Sequence, residues 1–113
     1  MLIEKKYSGL YYYPVERIAE TKFGGQKLTV IKGKIMDKLI SSPEQTVFFD
    51  TLFGCWVGDY RGAFKLLKVH VHLLRKDLRS LYEEGGADLF SYPIPVSVKR
   101  KGYKLSNKYD WRP

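Results

Sequence analysis

The clearest pattern of hydrophobic and polar positions lies over residues 64–81, where apolar residues recur at helical spacing. At about 100° per residue, one arc of this segment is apolar. It consists of Phe64, Leu67, Val71, Leu74, Leu78 and Leu81. A separate arc is basic and contains Lys65, Lys68, His72, Lys76 and Arg79, with Arg75 at its edge. The pattern predicts an amphipathic helix that buries one face and exposes a cationic face.

Two apolar segments that precede this helix predict further helices. The first has a buried face that consists of Ile31, Ile35, Met36, Leu39 and Ile40. Thr29 is a suitable N-cap for it, and Pro43 ends it. The second spans residues 47–57 and ends at Gly58, although Gly54 inside it disfavours a regular helix. These segments and the amphipathic helix predict a core of three helices over residues 29–82.

Short β-prone stretches precede these helices. Leu10-Tyr11-Tyr12-Tyr13 predicts a strand, and residues 17–23 are expected to return antiparallel to it. Gly24-Gly25 is expected to supply the tight turn into residues 26–28. The N-terminal quarter is therefore expected to form a small antiparallel sheet.

After the helices, residues 96–105 predict a hairpin with its tip near residues 100–102. The fold class expected from these elements is α+β. The chain is expected to be one domain over residues 1–113, with an N-terminal sheet (7–28), a three-helix core (29–82), a hairpin (93–106) and a tail (107–113).

The net charge of +8 is unevenly distributed along the chain. Residues 60–82 and residues 96–113 each contain six Lys or Arg residues against one Asp, a net charge of +5 each, so the rest sums to −2. Two cationic segments in an otherwise slightly acidic chain favour a polyanionic partner. A cationic face that is only solvated is the alternative interpretation.

Other features exclude several classes of protein. Cys55 is the single cysteine, so no internal disulfide can form, and an inert core thiol is expected. No apolar run approaches the roughly 20 residues that cross a bilayer, and the N-terminus lacks a signal peptide, so a cytoplasmic protein with no membrane partner is expected. His70 and His72 lie two residues apart, which does not place two metal ligands on one helix face. The acidic cluster at residues 83–88 is interpreted as a solvated loop, and neither an enzyme nor a cofactor is expected.

The order helix, helix, basic helix, basic hairpin is that of a winged helix, a variant of the helix-turn-helix. The basic helix contains Leu67-Lys68-Val69-His70-Val71-His72-Leu73-Leu74-Arg75-Lys76-Asp77-Leu78. This segment resembles the recognition-helix pattern V-D-V-H-I-x-R-L-R-K-K-L of the OmpR/PhoB-type effector domains of bacterial response regulators. The hairpin segment is similar to the wing pattern T-V-R-G-x-G-Y-R-L of the same family and reads Ser97-Val98-Lys99-Arg100-Lys101-Gly102-Tyr103-Lys104-Leu105.

Two further matches lie before the basic helix. Leu28-Thr29 resembles the L-T that opens the family's first helix, and Pro43, Leu52-Phe53 and Gly58 are similar to positions of its P-G-x-V-V-x-x-x-x-L-L-x-x-V-W-G stretch. The resemblance spans about residues 9–106 in order and register. It implies a winged helix-turn-helix with a small N-terminal sheet, whose third helix enters the major groove and whose hairpin, or wing, enters the flanking minor groove.

Several residues depart from the family pattern. Lys68 stands at the position of an Asp, Leu73 at that of an Arg that in the family often contacts DNA, and Arg100 at that of a wing Gly. A base preference therefore does not carry over from the family. No receiver domain is expected before Tyr7, so control by phosphorylation within the same chain is not expected.

The candidate DNA-binding residues lie on both basic elements. Those of the basic helix are Lys65, Lys68, His72, Arg75, Lys76 and Arg79, and those of the wing are Lys99, Arg100, Lys101 and Tyr103. For Tyr103, a hydroxyl contact to phosphate and packing against the third helix are both open. The loop of Asp59, Tyr60 and Arg61 matches the position that contacts RNA polymerase in the family, and a plain connector is equally open.

The function expected from these features is a nucleoid-associated, DNA-binding regulator of transcription. A homodimer on double-stranded DNA is expected by analogy with the family. Two alternatives stay open: an interaction protein of a phage or mobile element that docks a host protein such as RNA polymerase, and a nonspecific architectural DNA binder.

Overall fold

The computed structural model describes residues 4–22, 24–55, 62–84 and 92–108. In chain order, the elements are β1 (Lys5–Tyr7), β2 (Leu10–Tyr13), β3 (Ile18–Thr21), β4 (Gly24–Lys27), α1 (Val30–Ser41), β5 (Val47–Phe48), α2 (Phe49–Phe53), α3 (Ala63–Glu84), β6 (Ile94–Val98) and β7 (Gly102–Ser106). They confirm the predicted α+β fold class, the order of the helices and the C-terminal hairpin. Of the helices in the described ranges, none has the length and apolar content needed to cross a membrane.

The N-terminal sheet is a four-stranded antiparallel sheet in the order β1-β2-β3-β4. Ser8 and Gly9 join β1 to β2 and both have positive φ angles, 51° and 86°, as a two-residue type I′ turn requires. The predicted turn at Gly24-Gly25 is wrong. Both glycines belong to β4, where they pair with Thr21 and Glu20, so the chain reverses before them.

Helix α1 follows Thr29, which occupies the N-cap position in an extended conformation but makes no side-chain cap hydrogen bond. The predicted buried face is confirmed, since Ile35, Met36, Leu39 and Ile40 are buried and Ile31 packs against the core. Gly33 is also buried. A Cβ atom there would lie 2.7 Å from the hydroxyl oxygen of the buried Tyr12, so the Tyr12 side chain explains a glycine inside this helix.

The second apolar segment divides into two elements. Val47–Phe48 is the short strand β5, which pairs with β7, and only Phe49–Phe53 forms the helix α2. The prediction of one helical stretch is wrong at its start, because β7 supplies backbone partners that the local sequence does not show. Gly54 ends α2 as its C-cap, and Gly58 lies outside the described residues.

Helix α3 packs against α1, β3, β4 and β6. Its predicted apolar arc is confirmed at Leu67, Val71, Leu74, Leu78 and Leu81, all of which are buried. Phe64 was predicted on the same arc, but its side chain is 54% exposed. Its ring lies at the edge of the core, with centroid distances of 4.9 Å to Phe49 and 5.0 Å to Phe53.

A polar cluster joins the N-terminal sheet to the second sheet, whose strand order is β5-β7-β6. The Glu44 carboxylate accepts hydrogen bonds from the Tyr7 hydroxyl, from Ser106 Oγ at 2.8 Å and from the backbone N–H of Asn107 at 3.1 Å. Asn107 Nδ2 in turn donates to Ser8 Oγ at 2.9 Å. The end of β7 is thereby held against the β1–β2 hairpin.

Candidate nucleic-acid interface

One face of α3 is cationic. The predicted residues that the structure places at the surface of this helix are Lys65, Lys68, His72 and Lys76, and Arg79 is half-buried beside them. Asp77 points toward α1 instead, where Lys32 Nζ lies 2.5 Å from its Oδ2. The acidic residue in the middle of the helix is therefore neutralised away from the exposed lysines.

His70 lies on the same side of α3 as Asp77 and is half-buried. Burial lowers the pKa of His70, and the nearby Lys32 ammonium lowers it further. This histidine is therefore neutral at pH 7 and adds no charge. His72 is fully on the exposed side of the helix.

Arg75 connects α3 to the hairpin of β6 and β7. Its Nε donates to the Pro95 carbonyl at 2.8 Å, and its Nη2 donates to Ser97 Oγ at 3.3 Å. The guanidinium carbon lies 5.7 Å from the centroid of the Tyr103 ring. Burial lowers the pKa of Arg75 from its ordinary value, but an arginine remains charged at neutral pH. Arg75 thus fixes the hairpin beside the cationic face of α3.

A groove of about 500 Å³ lies between α3 and this hairpin. Arg75 and Arg79 line its helix side, Lys104 and Lys108 line its hairpin side, and residues 94–97 form the remaining wall. No carboxylate is among these lining residues. The two basic elements of the sequence therefore meet in one cationic groove.

The sequence-based candidates did not include Lys104 and Lys108. Both belong to the second basic segment, and the alternation of a strand places Lys104 opposite the buried Tyr103 and Leu105. This alternation was the signal that could have identified Lys104. Lys108 follows the end of β7, where no periodicity applies.

The tip of the hairpin carries Lys99, Arg100 and Lys101, and all three are exposed. The Lys101 N–H donates to the Val98 carbonyl at 3.0 Å, and the Phe49 N–H donates to the Lys101 carbonyl at 3.0 Å. The turn is therefore closed on itself and tied to the start of α2. Arg100 has a φ angle of 61°, a left-handed conformation that favours glycine.

Two other groups were predicted to contact a partner: Tyr103 and the loop of residues 59–61. Tyr103 is only 6% exposed, and its ring packs edge-on against Phe49 and beneath Arg75, so packing accounts for this residue. A phosphate contact through its hydroxyl stays a prediction. Asp59, Tyr60 and Arg61 lie outside the described residues.

The described residues contain no group of His, Cys, Asp and Glu side chains arranged to hold a metal ion. Cys55 is buried in the core, and this burial raises the pKa of its thiol above the ordinary value. Such a thiol is a poor nucleophile at neutral pH.

Comparison with known proteins identifies the fold. No protein-family model matches the sequence, and no curated protein matches it. The DNA-binding domain of the response regulator AdeR, solved in complex with an intercistronic region, is similar with a TM-score of 0.66 and 20% identity over 90% of this chain and 99% of that one. The C-terminal domain of the nisin resistance regulator NsrR, a lantibiotic response regulator, is similar with a TM-score of 0.67 and 20% identity over 90% of this chain and 96% of that one. The chain therefore has the winged helix-turn-helix fold of response-regulator DNA-binding domains, as its resemblance to OmpR/PhoB-type effector domains predicted.

Proposed function

We propose that this protein binds double-stranded DNA and regulates transcription, with α3 in the major groove and the wing, the hairpin of β6 and β7, in the flanking minor groove. The observation that carries the proposal is the junction made by Arg75. Because this residue bonds to Pro95 and Ser97, it holds the wing at the edge of the exposed cationic face of α3.

The charges on this surface suit a phosphate backbone. Lys65, Lys68 and Lys76 are exposed along α3, and the groove beside them adds Arg79, Lys104 and Lys108. Lysines act as point charges toward phosphates, whereas arginines can also bind guanine edges in a bidentate manner. The exposed cations of α3 are mostly lysines, which favours strong binding to the phosphate backbone of DNA.

The wing tip suits a narrower groove. Lys99, Arg100 and Lys101 are exposed on a short turn, and the minor groove of A·T-rich DNA attracts basic side chains through its enhanced negative potential. The similar AdeR domain was solved in complex with an intercistronic region, which supports a DNA partner for this fold. Contacts of Asp59, Tyr60 and Arg61 with RNA polymerase, and a dimer on DNA, stay predictions.

The salt dependence of duplex binding tests the proposal. Each phosphate that a protein neutralises steepens the slope of log K against log salt by about 0.9. The variant with Lys65→Ala, Lys68→Ala and Lys76→Ala is expected to bind a random-sequence duplex more weakly and to flatten this slope by roughly 2–3 units. The measurement is a fluorescence anisotropy titration at several concentrations between about 50 and 200 mM salt.

A control removes the same charge elsewhere. Lys6, Lys34 and Lys38 are exposed outside α3 and the wing, so their replacement by alanine should leave the slope unchanged. Wild-type binding that does not depend on salt, or an equal loss in both triple variants, would contradict the proposal. Selection of sites from a random library then separates a sequence-specific regulator, which enriches defined half-sites, from an architectural binder, which does not.

A further inference from the structure

Besides Phe64, whose ring packs at the edge of the core, three large apolar side chains in the described part of α3 lie at the surface. Leu66 is 48% exposed, Val69 is 47% exposed and Leu73 is 40% exposed. Their spacing of i, i+3 and i+7 places them on one face of the helix, and we call them the apolar strip. They lie outside the buried arc, so packing against the core does not explain them.

The apolar strip runs beside the exposed lysines. At about 100° per residue, Val69 lies only about 20° around the helix from Lys76 and about 40° from Lys65. Arg75, which binds the wing, lies at the opposite edge of the exposed face, roughly 160° from Leu73. The wing therefore leaves the strip uncovered, and any molecule that the lysines bind along this face also meets the strip.

Resting on the proposed function, we infer that the apolar strip contacts the C5-methyl groups of thymines in the major groove. The lysines beside the strip, which lie between it and the wing, match the phosphates along one rim of the groove, and the thymine methyl is the apolar group on its floor. Apolar side chains are the protein groups that read this methyl. The protein should therefore prefer sites in which thymines lie next to one another.

The length of the strip limits the number of bases that it covers. Seven residues of helix rise about 10 Å, which corresponds to about three base-pair steps of duplex DNA. The first turns of a recognition helix are the part that contacts base edges, and residues 66–73 lie in the first half of α3. Two or three adjacent thymines are the expected footprint.

The test uses DNA that lacks only the methyl group. Sites are selected from a random duplex library with the full chain, and each enriched thymine is then replaced by deoxyuridine, which pairs as thymine does but has no C5-methyl. Wild-type affinity is expected to fall about fourfold for each contacted thymine, the ratio that corresponds to about 0.8 kcal/mol for one buried CH₂-sized group. The replacement of thymines outside the footprint should have no effect.

Variants assign the effect to the strip. Leu73→Ala and Val69→Ala should each reduce the thymine-to-deoxyuridine ratio at one position toward 1. Val30 is 49% exposed at the start of α1, so Val30→Ala is a matched control that should leave every ratio unchanged. All of these residues are surface residues, and circular dichroism melting curves show directly whether each variant is folded.

The outcomes separate this inference from the proposed function. If binding depends on salt but wild type binds thymine and deoxyuridine equally, or if the library shows no thymine enrichment, the inference is wrong and DNA binding stands. If no duplex is bound at any salt concentration, the proposed function is wrong as well. A strip that docks another protein would give equal thymine and deoxyuridine affinities, so it is also distinguished.

Discussion

The two antiparallel sheets of this protein share their local architecture but differ in charge. The N-terminal sheet carries charges of both signs, since residues 4–27 contain three Glu residues and five Lys or Arg residues. The wing and the residues that flank it, 92–108, contain five Lys or Arg residues and no acidic residue. Both sheets bury one face, with Leu10 and Tyr12 in the first and Tyr103 and Leu105 in the second.

The difference shows which charges the fold uses. In the N-terminal sheet, Lys5 pairs with Asp37 at 2.6 Å and Arg17 Nε donates to the Leu28 carbonyl at 3.3 Å, so these cations bind within the protein. The wing tip consists of Lys99, Arg100 and Lys101, with no carboxylate among them. Arg100 and Arg17 both have left-handed φ angles, 61° and 57°, so backbone strain does not distinguish the two regions. Folding alone does not require cations at the wing tip, which favours a polyanionic partner as the reason for them.

The largest expected effect concerns the glycines of the two sheets. In Gly102→Ala, the added Cβ would collide with the Val47 carbonyl of β5, so the free energy of unfolding should fall by about 3 kcal/mol. Gly25→Ala places its Cβ 3.3 Å from Ile18 Cγ2, a side-chain atom that can shift, so it should lose less than about 1 kcal/mol. Urea unfolding of both variants measures the difference. Equal losses would show that β5 does not restrict the wing.

An intermediate effect is expected at Glu44, which joins the two sheets. Burial by itself would raise the pKa of this carboxyl, but the hydrogen bonds from Tyr7, Ser106 and Asn107 outweigh it and lower the pKa below the ordinary value of 4.5. Because the folded pKa is lowered, this stabilisation is fully present above pH 4.5 and is lost as the pH falls through the folded pKa.

Glu44→Gln should therefore lower the free energy of unfolding at pH 7 by about 1–2 kcal/mol, since charge-assisted hydrogen bonds are lost. The difference from wild type should shrink as the pH falls below 4.5, as urea unfolding across this range would show. Glu20→Gln on the exposed side of β3 removes the same charge and is the control. A difference that stays constant down to about pH 3 would rule out this role of the carboxylate.

The smallest expected change in stability concerns the wing turn. Arg100→Gly relieves the positive φ angle, so it should raise the free energy of unfolding by up to about 1 kcal/mol. It should also weaken duplex binding by about tenfold at about 0.1 M salt, because one phosphate contact is lost. Arg100→Lys keeps both the charge and the strain and is the matched variant for thermal melts and binding titrations. Unchanged affinity in Arg100→Gly would mean that this cation does not contact DNA.

Much of the fold could be predicted from local patterns. The periodicity of α1 and α3 identified their buried residues, because a helix that packs on one side repeats its apolar positions every three or four residues. The errors fall where strands pair. Val47–Phe48 became a strand because β7, far along the chain, provides its hydrogen-bond partners. Gly24-Gly25 entered a strand because they pair with Thr21 and Glu20 of the neighbouring β3, so this error is local and concerns the position of a hairpin turn.

The candidate site was partly predictable for the same reason. The exposure of Lys65, Lys68 and Lys76 follows from the helical period, which also leaves Leu66, Val69 and Leu73 off the buried arc. No periodicity predicts that Arg75 binds the Pro95 carbonyl, or that Lys104 and Lys108 face Arg79 across a groove. These contacts join residues that are distant in sequence.

The amino-acid sequence by itself determined which side of each helix is buried, where the positive charge is concentrated and the order of the elements. These properties depend on the residue types and on the repeat of the backbone, both of which are local. Only the tertiary structure decided that the cationic face of α3 and the wing form one continuous surface with the apolar strip at its far edge. That arrangement depends on packing between elements and on the hydrogen bonds of Arg75, which form when distant segments of the chain are brought together.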